Sequence, residues 1–199
     1  MSTTRLEAFT DGVIAILITI MVLELKAPHS TEWHAIQPTL FILLLYALSF
    51  IYLGIYWSNH HHMFQVTEHV NGRVLWANLH LLFWLSLVPF ATAWMGENDF
   101  AALPTAVYGV VLLLAAVAYT ILQMAIIKME GPHSKLGRAV GGDRKGKISM
   151  LLYLSAVPLA FVDPLISNAI YVVVAVIWLV PDKRIETHLN RERETHELR

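Results

Sequence analysis

The sequence predicts an all-α membrane protein with six transmembrane helices per subunit, and three observations predict it. Hydrophobic residues make up 56% of the chain and charged residues 15%, with a mean hydropathy of +0.56, far from the balance of a soluble domain. Several apolar runs reach the roughly 18 residues that mark a spanning helix. The positive charges are distributed very unevenly between the connections. As a soluble chain, 199 residues would make one or two domains; here they make one membrane domain, predicted over 1–181, and a charged tail over 182–199.

Span one covers about residues 5–26. Thr4 and Glu7 fit a T-x-x-E capping box, which predicts a helix start just before Arg5. Pro28 marks its end. Its charge-free stretch between Asp11 and Glu24 is twelve residues, short for a helix bathed in lipid, so its neighbours are expected to surround it. Span two covers about 36–58 and runs into His60, His61 and His62. Span three, about 74–95, carries Trp76 and Trp94 near its ends, where interface anchors belong. Pro89 predicts a kink within it. Span four covers about 102–127, and a glycine-rich basic loop follows. Spans five (about 148–162) and six (about 165–181) are short and separated by Asp163 and Pro164. The N-terminus lacks a basic segment and a small-residue cleavage site, so it is not read as a removable signal.

Six spans place the N-terminus, the second and fourth connections and the tail on one side. That side then holds 13 of the 14 Lys and Arg residues; Lys26 alone lies on the other. The positive-inside rule predicts that both termini are cytoplasmic and that the protein is a multi-pass resident of the cell membrane. The basic loop and the mixed-charge tail follow from this topology, so no nucleic-acid partner is predicted. Membrane lipids are the expected surroundings.

The polar groups at membrane depth carry the functional signal, because an ionisable side chain there is costly. On a helical wheel Arg5, Phe9, Gly12, Ile16, Thr19 and Leu23 fall within about 40° of one line, and Asp11 lies about 120° away from Arg5. Asp11 is therefore expected to face neighbouring helices, where Trp57, His60, His61 or Asn78 carry hydrogen-bond donors. Two readings fit the stripe. It packs against other helices, or it lines a pore formed by several copies of span one. In the second reading Ile16 and Leu23 form hydrophobic constrictions and Thr19 offers the side-chain oxygens between them. A hydroxyl bonded back to its own helix is the plain alternative for Thr19.

Three consecutive histidines point in different directions on a helix, so they do not predict a metal site. No H-E-x-x-H string, phosphate loop or nucleophile motif occurs, and no resident metal, cofactor or enzymatic activity is predicted. The chain has no cysteine, which excludes a disulfide framework and thiolate chemistry.

The string Arg5-Leu6-Glu7-Ala8-Phe9-Thr10-Asp11-Gly12-Val13 resembles the R-x-x-x-F-S-D-G-V signature of the transmembrane protein 175 family of potassium channels. Thr10 replaces the usual Ser and keeps the hydroxyl. Ala15-Ile16-x-x-Thr19, Leu23-Glu24-Leu25, Trp57-x-x-His60-His61, Asn78 and Pro89-Phe90 resemble the family too. The resemblance implies a homotetramer with span one of each subunit lining a shared central pore. It implies that Ile16 and Leu23 are pore constrictions, that Thr19 sets selectivity, and that K+ is the permeant ion. Arg5, Phe9, Thr10 and Asp11 map onto the signature and join a polar network with Trp57, His60, His61 and Asn78. No T-V-G-Y-G filter string occurs, so selectivity would rest on side chains. The alternative is a small transporter or accessory membrane protein with its pathway inside one subunit. That needs broken helices or charges around a midplane site, and Asp11 and Asp163 both lie near helix ends.

Overall fold

The computed structural model describes residues 3–25, 27, 30–141 and 143–179. Among them every regular element is helical: α1 (Thr3–Met21), α2 (Trp33–Gln65), α3 (Gly72–Ser86), α4 (Val88–Glu97), α5 (Ala102–Glu130), α6 (Lys135–Val140), α7 (Arg144–Leu159) and α8 (Pro164–Leu179). Three helical stretches are long and apolar enough to cross a membrane, within α2, across α3 and α4, and along α5; α8 is apolar but shorter. This is an all-α membrane protein. The tail at 182–199 lies outside the described residues, as do Lys26 and Pro28.

The elements differ from the sequence reading in four places. Helix α1 already includes Thr3 and Thr4, and Glu7 turns its carboxylate to His61 at 2.5 Å rather than serving a capping box at Thr4. The same helix ends at Met21, and a tighter 3-10 turn over Val22–Glu24 follows. Span three is two helices broken at Leu87, not a kink at Pro89. Pro89 sits in the first turn of α4, where a missing N–H costs nothing. Its ring cannot follow a continuous α-helical turn, so the break falls just ahead of it. The basic loop contains α6, and span five starts earlier, at Arg144. Ser134 caps α6 by accepting from the Gly137 N–H, and Asp143 caps α7 by accepting from the Gly146 N–H at 3.1 Å.

Helix α5 is the hub. It packs against α3, α4, α7 and α8, while α1 packs against α2, α3 and α4. Small residues Ala115 and Ala118 and the close approach of Gly109 to Tyr171 let neighbouring backbones come near. Buried hydroxyls join the helices. Ser49 is within hydrogen-bond distance of Thr92 (2.8 Å) and Tyr108 (3.0 Å), and Tyr171 donates to the Thr105 carbonyl at 3.0 Å. With no water in hydrocarbon to compensate, each such group needs an internal partner.

The start of α1, the ends of α2 and α5 and the starts of α3 and α7 lie at one end of the bundle. Glu7 meets His61 there, and Glu130 accepts from the Glu68 N–H at 2.6 Å.

Candidate functional site

Helix α1 has two faces of opposite character. Leu6, Thr10, Ile14, Leu17 and Met21 are buried, spaced three or four residues apart, and face α2, α3 and α4. The opposite face carries Arg5, Phe9, Gly12, Ile16 and Thr19, all exposed, and Leu23 is exposed in the 3-10 turn just beyond the helix. Ile16 is 57% exposed and Leu23 76%, so the predicted stripe does not pack against the described helices of its own chain. The Thr19 hydroxyl donates back to the Ile16 and Ala15 carbonyls, at 2.9 and 3.1 Å. That bond spends the only hydroxyl hydrogen. The lone pairs of Oγ1 remain, and they can accept or coordinate. The face therefore offers apolar surface, a hydroxyl oxygen and no charge between Asp11 and Glu24.

A polar network supports the opposite side of the helix. Asn78 donates from Nδ2 to the Thr10 hydroxyl at 2.9 Å, and its Oδ1 lies 2.9 Å from His60 Nε2. All three residues are fully buried. Next to them Trp57 donates its indole N–H to Asp11 Oδ1 at 3.0 Å. The Trp57 ring stacks on His61, with centroids 6.2 Å apart. His61 joins Glu7 through Nδ1 and Gln65 through Nε2 at 2.7 Å. The structure thus brings together Thr10, Asp11, Trp57, His60, His61 and Asn78. It leaves Arg5 and Phe9 on the exposed face with Ile16, apart from this network.

Sequence reasoning gave Glu7 a capping role and did not name Gln65; both join the network. Glu7 stands one helical turn before Asp11, and Gln65 one turn after His61; that spacing was the available signal. The three histidines do diverge: His60 goes to Asn78, His61 to Glu7, and His62 is exposed. Among the described residues, no three His, Asp or Glu side chains gather where they could hold a metal ion.

Comparisons with known proteins place the chain in a family. The model of the family described as the endosomal/lysosomal potassium channel TMEM175 matches residues 5–89, which carry α1 and its network partners. A protein from Chryseobacterium sp. (strain P1-3), named a potassium channel, is 55% identical over 185 residues, covering 93% of this chain and 96% of the relative. Another so named, from Streptomyces collinus, is 36% identical over 58% of this chain and 60% of its own length. Among solved structures, the crystal structure of a lysosomal potassium-selective channel TMEM175 homologue from Chamaesiphon minutus superposes with a TM-score of 0.74 at 26% identity. It covers 90% of this chain and 97% of that one.

Proposed function

This chain belongs to the TMEM175 family, and from that premise we propose that it is a potassium-permeable channel whose pathway runs along an axis shared by four copies. The observation that carries this reading is the open face of α1. A single chain buries one side of that helix and leaves Ile16, Thr19 and Leu23 uncovered on the other. Lipid is a poor cover for them, because a lipid-bathed span needs about 20 apolar residues and α1 has 19 residues in all, beginning with Arg5, Glu7 and Asp11 near one end. Four copies meeting around an axis bury the stripe against itself.

In that assembly Ile16 and Leu23 form two apolar rings, each narrow enough to exclude water unless the helices move apart. Thr19 forms a ring of oxygens between them. Each hydroxyl already donates to its own backbone, so its oxygen is presented to the axis as an acceptor. Such oxygens replace part of a cation's hydration shell. The Thr10–Asn78–His60 and Asp11–Trp57 bonds fix the roll of α1, and with it the direction in which the stripe points. K+ is the permeant ion rather than a cofactor. Residues 1–181 form the channel domain, with the tail at 182–199 beyond it. The six-span topology, with α3 and α4 counted together and α6 outside the membrane, puts both termini in the cytoplasm. The gathering of helix ends beside the basic loop supports that orientation.

The test is reconstitution into liposomes or planar bilayers with reversal potentials under bi-ionic K+ and Na+. Thr19→Ala is expected to conduct with a reduced preference for K+ over Na+. An unchanged reversal potential would remove Thr19 from the selectivity role.

A further inference from the structure

Between α3 and α5, with none of its lining drawn from α1, lies an open groove of about 470 Å³. Arg73, Trp76, Ala77 and His80 line it from α3, and their spacing puts them on one helical face. Ile121 and Ala125, one turn apart, line it from α5. Arg73, Trp76 and His80 are exposed, Trp76 by 75%. The stretch formed by α3 and α4 is long and apolar enough to cross a membrane and begins at Gly72, so Arg73 stands at a membrane surface. His80 lies about 10 Å deeper, at about 1.5 Å per residue.

The side-chain polar groups left over in this lining are all hydrogen-bond donors. Among the described residues Arg73 has no ion pair and the Trp76 indole no acceptor. The Trp84 indole donates to His80 Nε2 at 2.9 Å. An indole nitrogen only donates, so Nε2 is the acceptor and the ring proton sits on Nδ1. There it has no partner among the described residues. A donor at that depth costs free energy unless its surroundings supply an acceptor. No carboxylate lines the groove, and Glu130, at the end of α5, already accepts from the Glu68 N–H. The acceptors that a bilayer supplies are phosphates at its surface and glycerol ester carbonyls just beneath them, with acyl chains below. A guanidinium matches a phosphate in charge and in the geometry of its fork, and the positive end of the α3 dipole adds to that attraction. The ammonium of a zwitterionic headgroup finds no counter-charge here, which favours a lipid of net negative charge.

We propose that this groove is a binding site for one anionic phospholipid. Its phosphate lies on Arg73, a glycerol ester carbonyl accepts from His80 Nδ1, and the upper part of an acyl chain packs against Trp76, Ala77, Ile121 and Ala125. The site depends on the start of α3 lying at a membrane surface and not on the route of the ion.

The test is native mass spectrometry of the full-length purified protein, titrated with phosphatidylglycerol and with phosphatidylcholine of equal chain length. Photolabelling by a phosphatidylglycerol with a diazirine on its acyl chain runs beside it. Phosphatidylglycerol is expected to bind more tightly than phosphatidylcholine and to label residues within 76–80 and 121–125. Arg73→Gln is expected to weaken phosphatidylglycerol binding about fivefold, the contribution of one basic residue near an anionic surface, and to remove the preference. Ala125→Leu keeps the charge but fills the groove, and is expected to weaken both lipids. Arg138→Gln removes an exposed charge on α6, outside the groove, and is expected to bind as the parent does. All three variants are expected to elute as the parent in size exclusion. Equal affinity of the parent for the two lipids overturns the proposal. Equal losses in Arg73→Gln and Arg138→Gln overturn it too, because surface charge alone then accounts for the binding. So does label confined to residues outside the groove, the result expected if a neighbouring copy covers it.

Discussion

At the scale of single residues, Asn78 on α3 links α1 to α2. Its amide donates to Thr10 and accepts at His60, in a site from which water is excluded. Asn78→Leu keeps the branching and the number of side-chain heavy atoms, adds some bulk, and strands two buried polar groups. Leaving such a group unsatisfied costs about 1–3 kcal/mol each. The variant is therefore expected to melt several degrees below the parent in detergent, and a melting point within a degree of the parent would show that the Asn78 bonds are dispensable. The sequence carried part of this. Wheel position sent Asp11 toward its neighbours and named Trp57, His60, His61 and Asn78 as donors, and Trp57 is the one that meets it. It did not pair Asn78 with Thr10, because that pair joins α1 to α3 across 68 residues. Local spacing has no access to such a contact. Thr19 shows the opposite case. Its back-bond to the helix was the plain alternative reading, and that bond is present. It leaves the oxygen able to serve as an acceptor, so the two readings are compatible.

At the scale of elements, apolar runs and proline positions located the helices but misplaced several ends. Leu87 interrupts span three because Pro89 acts at the first turn of the next helix, and a proline alone does not say on which side the chain will break. Helix α6 and the early start of α7 depend on the capping residues Ser134 and Asp143. Both lie in a polar, glycine-rich stretch whose composition reads as loop. The packing of α5 on α8 depends on Gly109. A Cβ built there would sit 2.1 Å from the Tyr171 hydroxyl oxygen. That ring is fully buried and tied to the Thr105 carbonyl, so it cannot swing aside. Gly109→Ala gains a little helix propensity but overpacks this contact, at about 1–3 kcal/mol. Its melting temperature is expected to fall; a rise would mean that α8 can shift to accept a methyl group.

At the scale of the whole molecule, the class was legible from hydropathy and charge alone, since both report directly on the solvent the chain must face. Assembly was not legible that way. A stripe on a wheel reads the same whether another helix of the same chain covers it or a second copy does. Among the described residues no helix of the same chain covers Ile16, Thr19 or Leu23. The second is the reading adopted here, and it predicts a tetramer by light scattering or native mass spectrometry in mild detergent. A strict monomer under conditions that retain transport would contradict it. Because the natural chain contains no cysteine, the lining is open to direct measurement by single substitutions. The decisive measurement is silver-ion block of K+ current in bilayers for Ile16→Cys, Thr19→Cys and Leu23→Cys, beside Ile14→Cys and Leu17→Cys from the buried face. Irreversible block is expected at positions 16, 19 and 23 and not at 14 and 17. Current that persists through silver treatment at Ile16→Cys and Leu23→Cys would mean that α1 does not line the path of the ion.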